Sequence, residues 1–339
     1  MSGQLERQLN RFWSNPRARN ATRGFFTLFL ISLCAHFLAN DKPLVIRYQN
    51  TFYFPILFHY PATTFGGKLT SSTNYKSPHI QESLQKNGWF IMPLIPFSYD
   101  THDFQSNEPQ PAPPSMRHWL GTDDQGRDIL ARLLYALKTN ISFGLILTSM
   151  SLIIGVAIGA IQGYFGGATD LVGQRLIEIF SGMPTLYLLI ILTSFMRPSF
   201  IGLLLVMLLF GWIKFVGVVR AEFLRTRNLE YVTAAKTLGV NDATIILRHI
   251  LPNALVATIT YLPWNVIGGI MSLTSLDFLG FGMPIGSASL GEMMSQAKMN
   301  LHAPWIGISI FIVMFLLLSS LVFIGEGLRD AFDPHGGTL

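Results

Sequence analysis

Two stretches of this chain concentrate side chains with chemical capability. The first is His118-Trp119-Leu120-Gly121-Thr122-Asp123-Asp124-Gln125-Gly126-Arg127-Asp128. Gly121 and Gly126 suit turns, the aspartates suit capping of free backbone amides, and Arg127 suits a local ion pair, so this run reads as a structural element. The second runs from Tyr231 to Asn253. It reads as a helix with small residues at Ala234 and Ala235, a break at Gly239, and a second helix opened by the capping pair Asn241-Asp242. Ala234, Ala235 and Gly239 would let another surface approach the backbone closely. The plain alternative is a basic loop whose only task is to fix topology.

Composition says what must hold these stretches. Half of the residues are hydrophobic, only 13% are charged, and the mean hydropathy is +0.41. A soluble domain carries about a quarter charged residues. Charge gathers in the N-terminal arm, in 40–138 and in 220–248, and nearly vanishes between them. Long apolar runs joined by short charged links are what a bilayer requires. The net charge of +5 forms no stripe on a soluble face, which argues against nucleic acid as a partner. The single Cys34 excludes a disulfide framework and a thiolate metal site.

About 20 apolar residues cross a bilayer. The expected spans are 24–39, Ile141 to Tyr164, Leu176 to Phe195 with Pro184, Phe200 to Val219, Ile250 to Leu273 with Pro252 and Pro263, and Pro304 to Gly325. The first is short and follows five arginines, as a signal peptide would. Phe37-Leu38-Ala39 offers no small-x-small cleavage site, so an uncleaved span is expected. Six spans place both termini on one side. The 220–248 link carries Arg220, Arg225, Arg227, Lys236 and Arg248, whereas 196–199 has only Arg197 and 274–303 only Lys298. The positive-inside rule therefore puts the termini, 165–174 and 220–249 in the cytoplasm. The nine basic residues of 40–138 lie in a stretch too long for that rule.

The expected organisation is an N-terminal arm (1–23), a first span (24–39), an extracytoplasmic insertion (40–138), a core of five spans (139–330) with the loop 220–249, and a tail (331–339). Within the insertion, Leu44 to Tyr48 and Thr51 to Phe54 read as short strands and Pro109 to Pro114 as an extended link. Asp123 or Asp124 is expected to cap a helix with Ile129, Leu130, Leu133, Leu134 and Leu137 on its apolar side. That helix would lie along the outer interface before the second span.

The spacing in the second stretch resembles the EAA loop of ABC importer permeases: Glu-Ala-Ala, three residues, Gly, nine residues, then Ile-x-Leu-Pro. Ala234, Ala235, Gly239, Leu251 and Pro252 match. Thr233 replaces the glutamate and His249 stands at the isoleucine position, within the Arg248-His249-x-Leu-Pro-Asn ending usual in the peptide-transporting subgroup. The loss of the carboxylate removes one contact to a basic residue of an ATPase, not docking as a whole. The 118–128 run is similar to the His-x-Leu-Gly-Thr-Asp-x-x-Gly-Arg-Asp signature of dipeptide, oligopeptide and nickel permeases of the second, C-type kind. Ala39-Asn40-Asp41-Lys42-Pro43, Tyr53-Phe54-Pro55, Phe65-Gly66-Gly67 and Asn87-Gly88-Trp89 look like a peptide-permease subgroup with a long outer insertion, whose importer also takes up the peptide-nucleotide antibiotic microcin C. Gly211-Trp212, the 218–228 run and Thr274 to Gly282 extend the likeness over Phe25 to Pro334.

The resemblance implies an all-α membrane protein with the type I ABC importer permease fold of about six spans. It implies a peptide-importing permease subunit in the bacterial inner membrane. Its partners would be a homologous B-type permease, an ABC ATPase (or fused double ATPase) and a periplasmic peptide-binding protein. The coupling residues would be Thr233, Ala234, Ala235, Gly239, Asp242, Arg248, His249, Leu251 and Pro252. Gly121, Thr122, Asp123, Gly126, Arg127 and Asp128 would form the outer structural motif. The chain shows no Walker A run, no His-Glu-x-x-His and no nucleophile elbow, so no cofactor is expected here, and ATP and Mg would be held by the ATPase. Gly163 to Gly167 and Gly66-Gly67-Lys68 lack the phosphate-loop pattern and read as turns.

Rival readings are a nickel or other small-solute ABC permease, a secondary carrier, and a membrane-embedded enzyme. A carrier would show inverted halves, and an enzyme would show paired polar residues at one depth. The spans carry essentially Lys214 alone, which is expected to snorkel to the nearby cytoplasmic interface. Arg175 and Glu178 are spaced for a local ion pair. Asp277 either faces the pathway or caps the next turn.

Overall fold

The computed structural model describes residues 2–67, 72–103, 108–284 and 286–332. Lys68, Leu69 and residues 333–339 of the expected tail lie outside the described residues.

The chain opens with helices α1 (Ser2–Ser14), α2 (Pro16–Leu33) and α3 (Ala35–Leu38). The expected first span falls on α2 and α3, but α2 begins with Arg17, Arg19 and Arg23 inside the helix. After a small sheet and α4 (Pro78–Asn87), α5 runs unbroken from Ile129 to Phe165. This overturns the expected separate interfacial helix. Its 37 residues reach about 55 Å, well beyond a bilayer core of about 30 Å. Asp128, not Asp123 or Asp124, caps it, accepting from the Ala131 amide at 2.8 Å.

Gly166 and Gly167, at φ +64° and +54°, turn the chain from α5 directly into α6 (Gly167–Ser181). α6 and α7 (Thr185–Ser194) are bent by 76° at Pro184 of the expected span Leu176 to Phe195. Pro184 lacks the amide that would continue the helix. α8 (Phe200–Gly211) and α9 (Ile213–Thr226) follow one another as one helical run of 27 residues, apolar except for Lys214 up to Val219 and charged from Arg220 onward. Lys214 lies midway along the helical run and five residues before Val219, the last residue of its apolar part. α10 (Glu230–Thr237), α11 (Asp242–Thr244), a π-helical stretch at Ile245–Ile250 and α12 (Leu251–Ile259) lead to α13 (Leu262–Phe278), with a 56° bend before α13. α14 (Leu290–Met299) and α15 (Pro304–Phe332) close the described chain. Among the described residues, three helices are long and apolar enough to cross a membrane, or five if each bent pair is one span.

Two compact units emerge. One comprises Met1–Phe26, Asn140–Pro284 and Phe315–Leu339. Its core joins Phe143, Leu147, Leu189, Leu203, Met207 and Leu273, and a second cluster gathers Ala160, Val219, Phe223, Val232, Ile245 and Ala254. The side chain of Asp277 is buried and accepts from the Met283 amide at 2.6 Å, so it closes the turn after α13.

The other unit comprises Thr27–Thr139 and Ile285–Met314, so the expected insertion shares its core with a distant part of the chain. The strands expected at 44–54 are present: β1 (Val45–Tyr48) pairs antiparallel with β2 (Thr51–Tyr53) and β3 (Gly88–Ile91). The β1–β2 turn uses Gln49 and Asn50 at φ +48° and +63°, the left-handed pair a two-residue hairpin needs. Beneath this sheet Ile46, Tyr48, Phe65, Tyr75, Ile80 and Leu84 pack together. Ile129 and Leu133 of α5 pack instead with Leu290, Met293, Ile306 and Ile310.

Candidate functional sites: a helical hairpin and a buried ionic network

The hairpin of residues 230–259 is held by its apolar side. Val232 and Ala235 of α10, Ile245 and Ile250 of the π-helical stretch, and Ala254 of α12 are buried against Val219 and Phe223 of α9. α10 ends in a Schellman motif: the Val240 amide donates to Ala235 O at 3.1 Å and the Gly239 amide to Lys236 O at 3.0 Å. Gly239 takes φ +79°, which a side chain resists. The Asn241 side chain accepts from the Thr244 amide at 2.7 Å, the expected N-cap. The tip is clamped to the end of α5, where Tyr164 Oη donates to Asp242 Oδ1 at 2.5 Å and Lys236 Nζ lies 4.6 Å from the Tyr164 ring centre. Tyr231 Oη donates to His249 O, and Asn253 Nδ2 donates to Tyr231 Oη, both at 3.3 Å.

The sequence-expected set divides. Thr233, Ala234, Gly239, Asp242 and Arg248 are exposed, while His249, Leu251 and Pro252 are half-buried. Ala235 is buried in the core, so its small size serves inward packing and not an approaching partner. Thr233 bonds to its own helix, Oγ1 donating to Leu229 O at 3.2 Å. Two exposed leucines escaped the sequence reading: Leu238, next to Gly239, at 83% exposure, and Leu247, in the π-helical stretch, at 60%. Their signal was apolar residues where a solvated loop would be polar. Arg220 pairs with Asp170, and Arg227 donates to the carbonyls of Gly163 and Tyr164 at 3.1 and 3.2 Å, at the negative end of α5. Both therefore have structural partners besides any topogenic role.

The 118–128 run folds as a structural element of the second unit. Gly121 and Gly126 are at φ +81° and +73°. A Cβ on Gly121 would lie 2.7 Å from Ala112 O and 2.8 Å from the Trp305 ring. Thr122 Oγ1 accepts from the Ala112 amide at 2.8 Å and donates to the Gln110 side chain. Asp123 Oδ1 accepts from the Gln125 and Arg127 amides at 2.9 Å each. Its Oδ2 meets Arg127 Nε at 2.8 Å and Arg132 Nη1 at 2.5 Å. Arg127 does not pair only locally. Both arginines reach Glu292 of α14, at 3.2 and 2.9 Å, and Arg132 adds Gln296 at 3.1 Å. Arg132, Glu292 and Gln296 were missed. Arg132 stood among apolar neighbours on α5 as a visible anomaly, whereas nothing local marked the other two. Arg175 and Glu178 form the expected exposed pair at 2.6 Å.

His118 joins Asp128 at 2.8 Å through Nδ1 and Asp103 at 3.1 Å through Nε2. Burial opposes its charge and is the largest single effect, but the bonds to Asp128 and Asp103 together outweigh it, so its pKa is raised above the ordinary 6.5. The folded state therefore binds this proton more tightly than the unfolded chain. The stabilisation is complete below pH 6.5 and is lost as pH rises through the higher folded value. Amide exchange in 118–128 is expected to speed up over that rise, beyond the intrinsic pH effect. His118→Gln is expected to abolish this pH-dependent component. Among the described residues, no group of three or more His, Cys, Asp or Glu side chains could hold a metal ion.

Residues 155–335 match the family described as "Binding-protein-dependent transport system inner membrane component". The chain is 53% identical over 325 residues to the inner membrane ABC transporter permease protein YejE of Escherichia coli (strain K12), covering 96% of this chain and 95% of that one. It is 49% identical over 356 residues to the peptidoglycan transport system permease protein YejE of Agrobacterium fabrum, covering 97% and 93%. It is 33% identical over 256 residues to the oligopeptide transport system permease protein OppC of Mycobacterium tuberculosis, covering 75% and 87%. In fold it is similar to a chain of the MetNI methionine ABC transporter in an inward-facing conformation, with a TM-score of 0.52 at 14% identity, covering 60% of this chain and 98% of that one. The chain belongs to the binding-protein-dependent transport system inner membrane components, the permeases of ABC transporters.

Proposed function

We propose that this chain is the membrane-spanning subunit of an ATP-driven importer of peptides, with its termini and the 230–259 hairpin on the cytoplasmic side. A homologous B-type permease encloses the route with it, and a periplasmic binding protein delivers peptide. An ABC ATPase binds ATP and Mg and docks on the hairpin. The observation that carries this reading is the hairpin itself. Its inner side is welded to α9 by Val232, Ala235 and Ile245, while Ala234, Leu238, Gly239 and Leu247 are left exposed at the other side. A rigid lever with an apolar, small-residue tip can pass displacement of a docked ATPase into the spans, provided the tip favours different ATPase states differently. The positive charge of 220–248 supports the orientation. Peptide as substrate rests on the peptide-transport names of the relatives.

Uptake by the reconstituted complex tests this. No described group lies within 4 Å of a Cβ on Gly239, so Gly239→Arg meets no clash within its own chain and carries only the strain of a side chain at φ +79°, about 1–2 kcal/mol. It is expected to leave the subunit folded and to lower ATP-dependent peptide uptake about tenfold or more, with loss of ATPase co-purification. Gly239→Asn keeps the left-handed turn and is expected to retain most uptake. Normal assembly and normal coupled uptake in the arginine variant would overturn the docking role.

A second reading concerns cargo. The peptidoglycan-transport name of the Agrobacterium relative favours cell-wall-derived peptides within the same class. Competition of muropeptides against simple oligopeptides for uptake separates the two, and sensitivity to microcin C in a deletion strain reports the antibiotic branch.

A further inference from the structure

An intramembrane cation needs a reason to be there. Lys214 stands within the apolar part of the α8–α9 run, five residues before its end at Val219, or about 7.5 Å of helix. Arg220, the next charged residue along α9, is six residues further, about 9 Å. The lysine side chain is exposed. Its Nζ lies 3.5 Å from where a Cβ on Gly268 would stand, so the side chain crosses to the backbone of α13. Among the described residues, no carboxylate forms an ion pair with it.

The space around it is mostly apolar, with a few polar groups set among Leu189, Met207 and Phe215. The polar residues that line this cavity of about 320 Å³ are Lys214, Thr148 and Ser151 of α5, Thr185 of α7, and Asn265 and Ser272 of α13. The hydroxyls of Thr148 and Ser151 are buried and have no hydrogen-bond partner. An ammonium can only donate, and each of these hydroxyls holds an uncommitted proton. A carboxylate, which only accepts, complements such a set, whereas a cationic group does not. The volume sits at the small end of ligand pockets, about 300–1,000 Å³, and so suits one end of a peptide, not a whole one.

We propose that Lys214, with Thr148 and Ser151, forms a subsite in the translocation route that holds the C-terminal carboxylate of a passing peptide. This rests on the reading of the chain as a peptide permease. The test uses proteoliposomes holding the complete importer with its ATPase and binding protein. Uptake is measured for one tripeptide with a free C-terminal carboxylate and for its C-terminal amide. Each is expressed as the ratio of variant to unaltered complex, which cancels any end-group preference of the binding protein.

Lys214→Gln is expected to lower free-acid uptake about tenfold or more, the scale of one charge-assisted hydrogen bond, and to leave amide uptake within about twofold. Lys214→Arg is expected to restore most free-acid uptake. No change, or an equal fall for both peptides, overturns the subsite. A loss that follows a glutamate side chain in an amidated peptide, relative to glutamine, overturns the assignment to the terminus. If the unaltered complex shows no ATP-dependent uptake of either peptide, the functional reading itself fails, and the subsite with it.

Discussion

Arg132→Leu is expected to destabilise the protein by about 3–5 kcal/mol, the cost of leaving a buried carboxylate short of its partner. Asp123 is fully buried, as is Arg132, and their 2.5 Å contact sits inside a network with Arg127 and Glu292. Removing the guanidinium also strips Glu292 and Gln296 of their bonds to α5. The remaining Arg127 serves both carboxylates, but its reach to Glu292 is the longer one at 3.2 Å. Leucine fills part of the space without supplying any donor. Glu292→Gln is expected to cost only about 1 kcal/mol, because that side chain is 27% exposed and water can solvate what is left. The thermal midpoint and the monodisperse yield of the purified variants check both values. A midpoint for Arg132→Leu equal to that of Glu292→Gln would show the network to be ornamental.

Gly159→Leu is expected to cost about 1–3 kcal/mol through overpacking, and to abolish coupled uptake. Gly155, Gly159 and Gly163 recur every four residues along α5 and face α9. Cβ atoms there would stand 2.5 Å from Phe215 Cβ, 2.9 Å from Val219 Cβ and 2.5 Å from Phe223 Cβ respectively. Backbone carbonyls lie almost as close, with Val216 O at 3.0 Å from the Gly159 position, so rotamer changes cannot relieve the clash. Small residues at four-residue spacing are how helices approach closely where lipid offers no hydrophobic drive. Because α9 also carries the buried side of the 230–259 hairpin, prising it from α5 shifts the element that receives force. Gly217→Leu on α9 is the control. Nothing lies within 4 Å of its Cβ, and its effect on stability is expected within about 0.5 kcal/mol. Equal thermal midpoints for the two leucine variants would refute the close-packed seam.

Most of the hairpin was legible because its signals are local. The left-handed turn at Gly239, the cap at Asn241 and the two flanking helices each depend on a few consecutive residues. The strands at 45–53 were legible for the same reason. Where packing over distance decides the outcome, local reading missed. Ala234 and Ala235 are neighbours of the same type, yet one is exposed and the other buried, because successive residues on a helix point about 100° apart and only the core says which way is in. The capping aspartate was misplaced by four or five residues, because Asp123 is committed to Arg127 and Arg132 and it is Asp128 that meets the α5 amide.

The apolar runs by themselves determined that this chain belongs in a bilayer, since no water-soluble core could bury so much uncharged helix. Likewise the 118–128 run determined its own turns. Only the tertiary structure decided what those turns are for. Glu292 arrives from α14, 160 residues beyond Arg132, and converts a local set of caps into a buried charge network. It also decided the place of Lys214. Hydropathy marks where a helix begins and ends but not which neighbour it meets, and the neighbour here is the side-chain-free backbone at Gly268 beside two unpartnered hydroxyls.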